Sequence, residues 1–121
     1  MNAHQFSNEF VQRVFQAVNN AGVDFIELGY KADESQFSRN AFGPMKFCSE
    51  KDLERIVGKT EKKCKISAMA DIGRVDPSNI IPKSQSLLDM MRVASYVKDI
   101  DKAINLANLI KSKGYMVTIN L

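Results

Sequence analysis

The chain has 121 residues, 45% of them hydrophobic, enough to bury one core of ordinary size without a second domain. Its 17 Lys and Arg exceed its 14 Asp and Glu by only a net +3, and the basic residues are scattered among acidic neighbours, which suits solubility and not a nucleic-acid face. The densest basic run, Lys59 to Lys65, contains Glu61 and reads as a solvated turn.

The first residues carry neither a basic region nor an apolar stretch of signal-peptide length, and no apolar run is long enough to cross a bilayer. Two cysteines, Cys48 and Cys64, lack a CxxC pair or a histidine cluster, so neither a zinc site nor a secreted disulfide scaffold is expected. A cytoplasmic location, with no membrane and no nucleic-acid partner, follows as the expectation.

Ser7 is placed to cap a first helix, with Phe6 before it and Val11 four positions after it spaced as a hydrophobic staple. Phe10, Val11, Val14, Phe15 and Val18 recur at helical spacing, and Gly22 supplies the stop. Residues 23 to 29 are short and apolar on both parities, the pattern of a strand covered on both faces. A polar excursion over 31 to 48 contains Gly43 and Pro44 and has no period. Ser49 and Asp52 form a capping box for a short helix through Val57, stopped by Gly58. Lys65 to Ile72 reads as the second strand, and Gly73 to Ser84, with Pro77 and Pro82, as a second non-helical excursion.

Residues 85 to 97 fit either a helical face or a buried strand, since Leu87, Leu88, Met91 and Ala94 satisfy one period while 87 to 94 is almost unbroken. The next element decides between them. Asp99 is placed to cap a helix with Ile100, Ala103, Ile104, Ala107 and Ile110 on one face, closed by Gly114, and Tyr115 to Leu121 is rich in β-branched residues. Alternation of strand and helix then puts a strand at about 89 to 95.

Four strands joined by long crossovers imply parallel, right-handed connections: an α/β fold that is either a doubly wound sheet or a half TIM barrel. The polar residues favour the barrel. Glu27, Ser67, Asp71, Arg92, Thr118 and Asn120 fall on one parity of their strands and gather toward the C-terminal ends, where barrel enzymes keep their sites. Asp71 is expected to neutralise Arg92 if both point inward. Gly29 and the residues after it lack the glycine spacing of a dinucleotide or phosphate loop, which speaks against a small doubly wound ligand-binding domain.

Three segments carry a family likeness: Ala21 to Tyr30, Phe42 to Cys48, and Asp89 to Ala94 followed by Asp101 to Ile104. In that order they resemble the metal-dependent TIM-barrel aldolases that act on 4-hydroxy-2-oxovalerate and the related 3-hydroxy-3-methylglutaryl-CoA lyases, and Gly114 to Leu121 looks like that family's fifth strand. The resemblance implies a fragment covering about strands two to five, with Glu27 and Arg92 as catalytic candidates and Asp71 and Asn120 as substrate-binding ones. It also implies a divalent metal, manganese or magnesium, and a small 2-oxo acid or acyl substrate for an intact relative.

The departures bear on activity. Relatives draw a metal-binding Asp and an enolate-steadying Arg from a first strand with a D-x-T-L-R-D-G type signature, and two metal-binding histidines from a seventh. This sequence has no counterpart of either, and its only histidine, His4, reads as exposed and idle near the terminus. No metal site is therefore assigned, and the chain alone is expected to be inactive. A homo-oligomer, most simply a symmetric dimer, is expected, because two sheet edges and an apolar inner layer would stand uncovered; the alternative readings are a noncatalytic half-barrel that self-associates and a small doubly wound ligand-binding domain.

Overall fold

The computed structural model describes residues 6–37 and 41–121; His4 and residues 38–40 of the first excursion lie outside them. The elements alternate as expected: α1 (Asn8–Asn20), β1 (Phe25–Tyr30), α2 (Glu50–Val57), β2 (Lys65–Asp71), β3 (Met90–Ala94), α3 (Ile100–Ser112) and β4 (Met116–Asn120). The ambiguous segment is a strand, and short 3-10 turns occupy parts of the excursions. All neighbouring strands pair in parallel in the order β1-β2-β3-β4.

That order decides between the two architectures. Uniformly right-handed crossovers between sequential neighbours put every connecting helix on the same face, whereas a doubly wound sheet must reverse its strand order to cover both. Here Ile66, Ala68 and Ala70 of β2 and Met91 and Val93 of β3 are buried in one cluster with Val11 and Phe15 of α1, Leu53 and Ile56 of α2, and Ala103 and Ile110 of α3. One face is thus a core and the other carries no helix, the arrangement of an arc cut from a β/α barrel.

The uncovered face is mixed and not the apolar layer expected. On the parity of Ser67, Met69 and Asp71 the register brings Phe25 and Glu27, Met90 and Arg92, and Met116, Thr118 and Asn120. The first strand is likewise not covered on both sides: Val23, just before it, and Phe25 are 46% and 40% exposed, β1 being an outer strand of the described sheet. Helical periodicity overstated burial in the same way. Phe10, Val14 and Ile104 are exposed, because a helix on a single-sided sheet buries only a narrow stripe.

The caps hold with two changes. Ser7 Oγ accepts from the Phe10 N–H, and Ser49 Oγ accepts from the Asp52 N–H while donating to its carboxylate. Phe6 stacks on Phe10 at 5.3 Å between ring centres. Asp99 makes no capping hydrogen bond; it ends a 3-10 turn, and its carboxylate lies 3.8 Å from Lys102 instead.

Two polar groups, Asn19 buried and Asp89 partly buried, tie the layers together. Asn19, 2% exposed, donates to the Glu61 carbonyl and accepts from the N–H groups of Lys63 and Cys64, fastening the end of α1 to the loop that feeds β2. At the N-terminal end of β3, Asp89 accepts from Lys62 and from the Ile66 N–H, with Lys83 3.4 Å away. Burial alone would raise the Asp89 pKa, but the Lys62 hydrogen bond, the Ile66 N–H and both lysine charges outweigh it and hold the carboxyl below its ordinary value.

Asn19→Ala removes one donor and strands the buried Cys64 N–H and the part-buried Lys63 N–H, which is expected to cost about 1–3 kcal/mol, read as a lower urea midpoint with an unchanged slope. An unchanged midpoint would mean that water replaces the side chain. Asp89 gives a pH signature. Because its folded pKa is depressed, its contribution is complete above the unfolded value of about 4 and fades as pH falls through the folded one. Asp89→Asn is expected to cost about 1–3 kcal/mol at pH 7, with the gap to the parent chain narrowing toward pH 3 in paired urea titrations.

Candidate active site

The helix-free face of the sheet has a charged centre. Glu27 of β1 and Arg92 of β3 reach over β2 and meet in a bidentate pair, Nε to Oε1 at 2.9 Å and Nη2 to Oε2 at 2.8 Å. Parallel registers make this possible: Glu27 stands opposite Ser67, and Arg92 opposite Met69, two residues further on. The two side chains are 33% and 29% exposed, so solvent screens the pair only in part. The Glu27 hydrogen bond raises the Arg92 pKa; burial opposes it, and the charges of Glu27, Tyr30 and Asp71 add to it. The guanidinium is a permanent cation, oriented in a plane by its fork, with further N–H donors free to turn toward a ligand.

The expected Asp71–Arg92 pair does not form. Asp71 sits at the C-terminal end of β2, where its carboxylate meets Arg74 at 3.6 Å, and Arg92 is already held by Glu27. A two-point hydrogen bond in one plane outweighs a longer contact to a carboxylate at the strand end. Asp71 and Asn120 come together differently, as parts of one rim. With Arg74, Ser95, Tyr96 and Lys98 they line a cavity of about 400 Å³ at the C-terminal ends of β2, β3 and β4. The four candidates therefore divide into a pair on the sheet face and a pair at its mouth.

Lys46 is a feature that sequence reasoning missed. It is 5% exposed, and its ammonium lies 4.7, 4.6 and 5.1 Å from the ring centres of Tyr30, Phe37 and Phe42. Burial lowers its pKa, the Arg74 charge lowers it further, and Asp71 opposes both. Phe37 and Phe42 within an otherwise polar excursion, with Tyr30 just before it, were a weak available signal, since nothing in the sequence brings them around Lys46. The cage is seated by Gly29. A β-carbon there would fall 2.0 Å from the Met45 carbonyl oxygen, so only glycine lets the 3-10 turn Pro44–Lys46 lie directly on β1.

Cys48 is no nucleophile in this setting. Burial pushes its thiol up to about 12, against the pull of Lys31, whose ammonium donates to the Cys48 carbonyl at 3.0 Å. The metal implied by the family resemblance is not matched by the donor set either. Among the described residues no three His, Cys, Asp or Glu groups converge, Glu27 is engaged by Arg92, and Asp71 faces Arg74. No helix among the described residues is long and apolar enough to cross a membrane.

No protein-family model matches the chain, and no curated protein does. Among solved structures it is similar to the N-terminal domain of a "putative aldolase" from Bacteroides vulgatus, with 26% sequence identity and a TM-score of 0.72. The match covers 96% of this chain and 38% of that one, so the chain spans well under half the length of its structural neighbour. The likeness supports an aldolase-like fold.

Proposed function

We propose that the chain is an arc of an aldolase-like barrel whose sheet face supplies part of a site for a small 2-oxo acid or related acyl compound. The observation that carries this reading is the Glu27–Arg92 fork on the one sheet face left free of helices, joined to the similarity to an aldolase domain. Arg92, oriented by Glu27, offers its remaining donors to a substrate carboxylate. Asp71 and Asn120, on the rim, hydrogen-bond the hydroxyl and carbonyl oxygens of the same molecule. In 4-hydroxy-2-oxovalerate aldolases and 3-hydroxy-3-methylglutaryl-CoA lyases, which the sequence resembles, a divalent metal supplies Lewis-acid chemistry for carbon–carbon cleavage.

Among the described residues no such metal site forms, so in this reading the role of the chain is binding and it does not turn substrate over by itself. The same shortfall of donors favours the second reading, a noncatalytic half-barrel. The buried, free thiols of Cys48 and Cys64 suit a reducing compartment, and we place the chain in the cytoplasm.

The test has two arms. Pyruvate release from a 4-hydroxy-2-oxo acid, followed by a coupled assay with manganese or magnesium, is expected to stay at background; metal-dependent turnover abolished by Glu27→Ala would reveal a complete site. Pyruvate binding followed by ligand-observed NMR is expected to weaken about tenfold in Arg92→Lys, which keeps the charge and loses the fork. Equal binding by both proteins would remove Arg92 from the site.

A further inference from the structure

We infer that Ser67, in the middle of the sheet, supplies a second hydrogen-bond donor beside Arg92 for the carboxylate of the bound 2-oxo acid. The inference rests on the binding reading above and adds a contact to it. Ser67 shares the parity of Met69 and Asp71 on the helix-free face, while Ile66, Ala68 and Ala70 pack toward the helices. Even so, it is only 2% exposed, and its hydroxyl has no hydrogen-bond partner among the described residues. A hydroxyl taken from water without a replacement partner is costly, and native structures keep few of them. Asn8 Oδ1 is unpartnered too, but the amide nitrogen of the same side chain donates to Asp52 in the α1–α2 contact. Ser67 makes no such second contact.

Its place on the ladder connects it to the charged pair. Ser67 stands opposite Glu27 on β1 and Met90 on β3, and Arg92 stands opposite Met69, two residues further along β2. Glu27 is the nearest acceptor-only group across the strands, yet both of its oxygens are engaged by Arg92. The hydroxyl is therefore left for an incoming acceptor. With strands about 4.8 Å apart and a rise of about 3.3 Å per residue, the backbones of Ser67 and Arg92 lie roughly 8 Å apart on the diagonal. An ionised carboxylate that accepts bonds of about 2.8 Å at both oxygens bridges a short and a long side chain across such a gap.

The chemistry selects the same ligand group. Arg92 has donors and no acceptor, and its Nε and one Nη2 hydrogen already face Glu27, so its remaining N–H groups call for an oxygen that only accepts. A serine hydroxyl with nothing to donate to makes the same demand. A carboxylate meets both and adds charge assistance at each bond. Reaching the hydroxyl requires only side-chain movement: Met69 and Met90, its neighbours on this face, are half-buried, unbranched and adaptable.

Ligand-observed NMR with two acids tests the contact. Ser67→Ala is expected to weaken pyruvate binding about tenfold, and to weaken propionate, which keeps the carboxylate and lacks the 2-oxo oxygen, by the same factor. The urea midpoint of the ligand-free variant is expected not to fall, because the substitution removes a hydroxyl that nothing satisfies. Ser67→Cys, close in size and only a weak donor, should show the same loss of affinity, which separates a lost hydrogen bond from altered packing. Unchanged affinity for both acids would overturn the inference and leave the hydroxyl to a buried water. A loss confined to pyruvate would put Ser67 on the oxo oxygen and overturn the carboxylate contact. Failure of this contact and failure of the site are separable: pyruvate binding that depends on Arg92 and ignores Ser67 sinks the contact alone, whereas no pyruvate binding by the unmodified chain sinks the site and the contact with it.

Discussion

The handedness of the crossovers is the constraint from which the rest of this molecule follows. Parallel strands are joined almost always by right-handed connections, and when the strands succeed one another in space as they do here in sequence, that preference puts every helix on the same side. The sheet then has two faces with different solvents. One is dry, formed by Ile66, Ala68, Ala70, Met91 and Val93 against the three helices. The other meets whatever lies beyond the chain, and there polar side chains cost little to keep. Glu27 and Arg92 occupy that face because nothing on it demands hydrocarbon.

The two ends of the strands have separate tasks. At the N-terminal end, Asp89 gathers Lys62, Lys83 and the Ile66 N–H, and Tyr115 donates to the Ile81 carbonyl at 2.7 Å. These contacts are locally satisfied and shut the base. At the C-terminal end the excursions are long, the charges of Asp71, Arg74 and Lys98 line an open cavity, and Lys46 is caged by rings. Barrels divide stability and chemistry between their ends in the same sense. Gly29 is where the two demands meet: it belongs to a strand but is small so that an excursion can dock on the strand.

Much of the fold was legible because its signals are local. Ser7 and Ser49 announce helix starts through hydrogen bonds that span three residues, and the alternation of helix and strand resolved Met90–Ala94 where periodicity alone did not. Parity also placed Glu27, Arg92, Asp71 and Asn120 on one face. Which of them pair was not legible, because the choice depends on the stagger between strands. The alignment of Glu27 with Ser67 and the two-residue advance to Arg92 decide it, and neither is written in any one strand. The Lys46 cage was hidden for the same reason: Tyr30, Phe37 and Phe42 are neighbours only after the excursion folds back.

A bidentate ion pair on an open sheet raises a question of economy. Exposed pairs contribute about 1 kcal/mol or less, so Glu27–Arg92 does little for the stability of a single chain. Nor does the pair fill space, since both side chains remain about one-third exposed. Its effect grows when the face is enclosed, because a charge removed from water requires its partner far more than an exposed one does. Enclosure by further strands turns the same two residues from a minor surface contact into a constraint on register, since a slip of one residue would point every inward side chain of the joining strand outward. An arginine held in its fork by a carboxylate, on the inside of a closed barrel and below a polar mouth, is also an oriented cation ready for an anionic ligand. In the reading proposed above, the carboxylate of Glu27 that fixes the fork is also what would aim the guanidinium at a ligand, so a change to Glu27 would act on both.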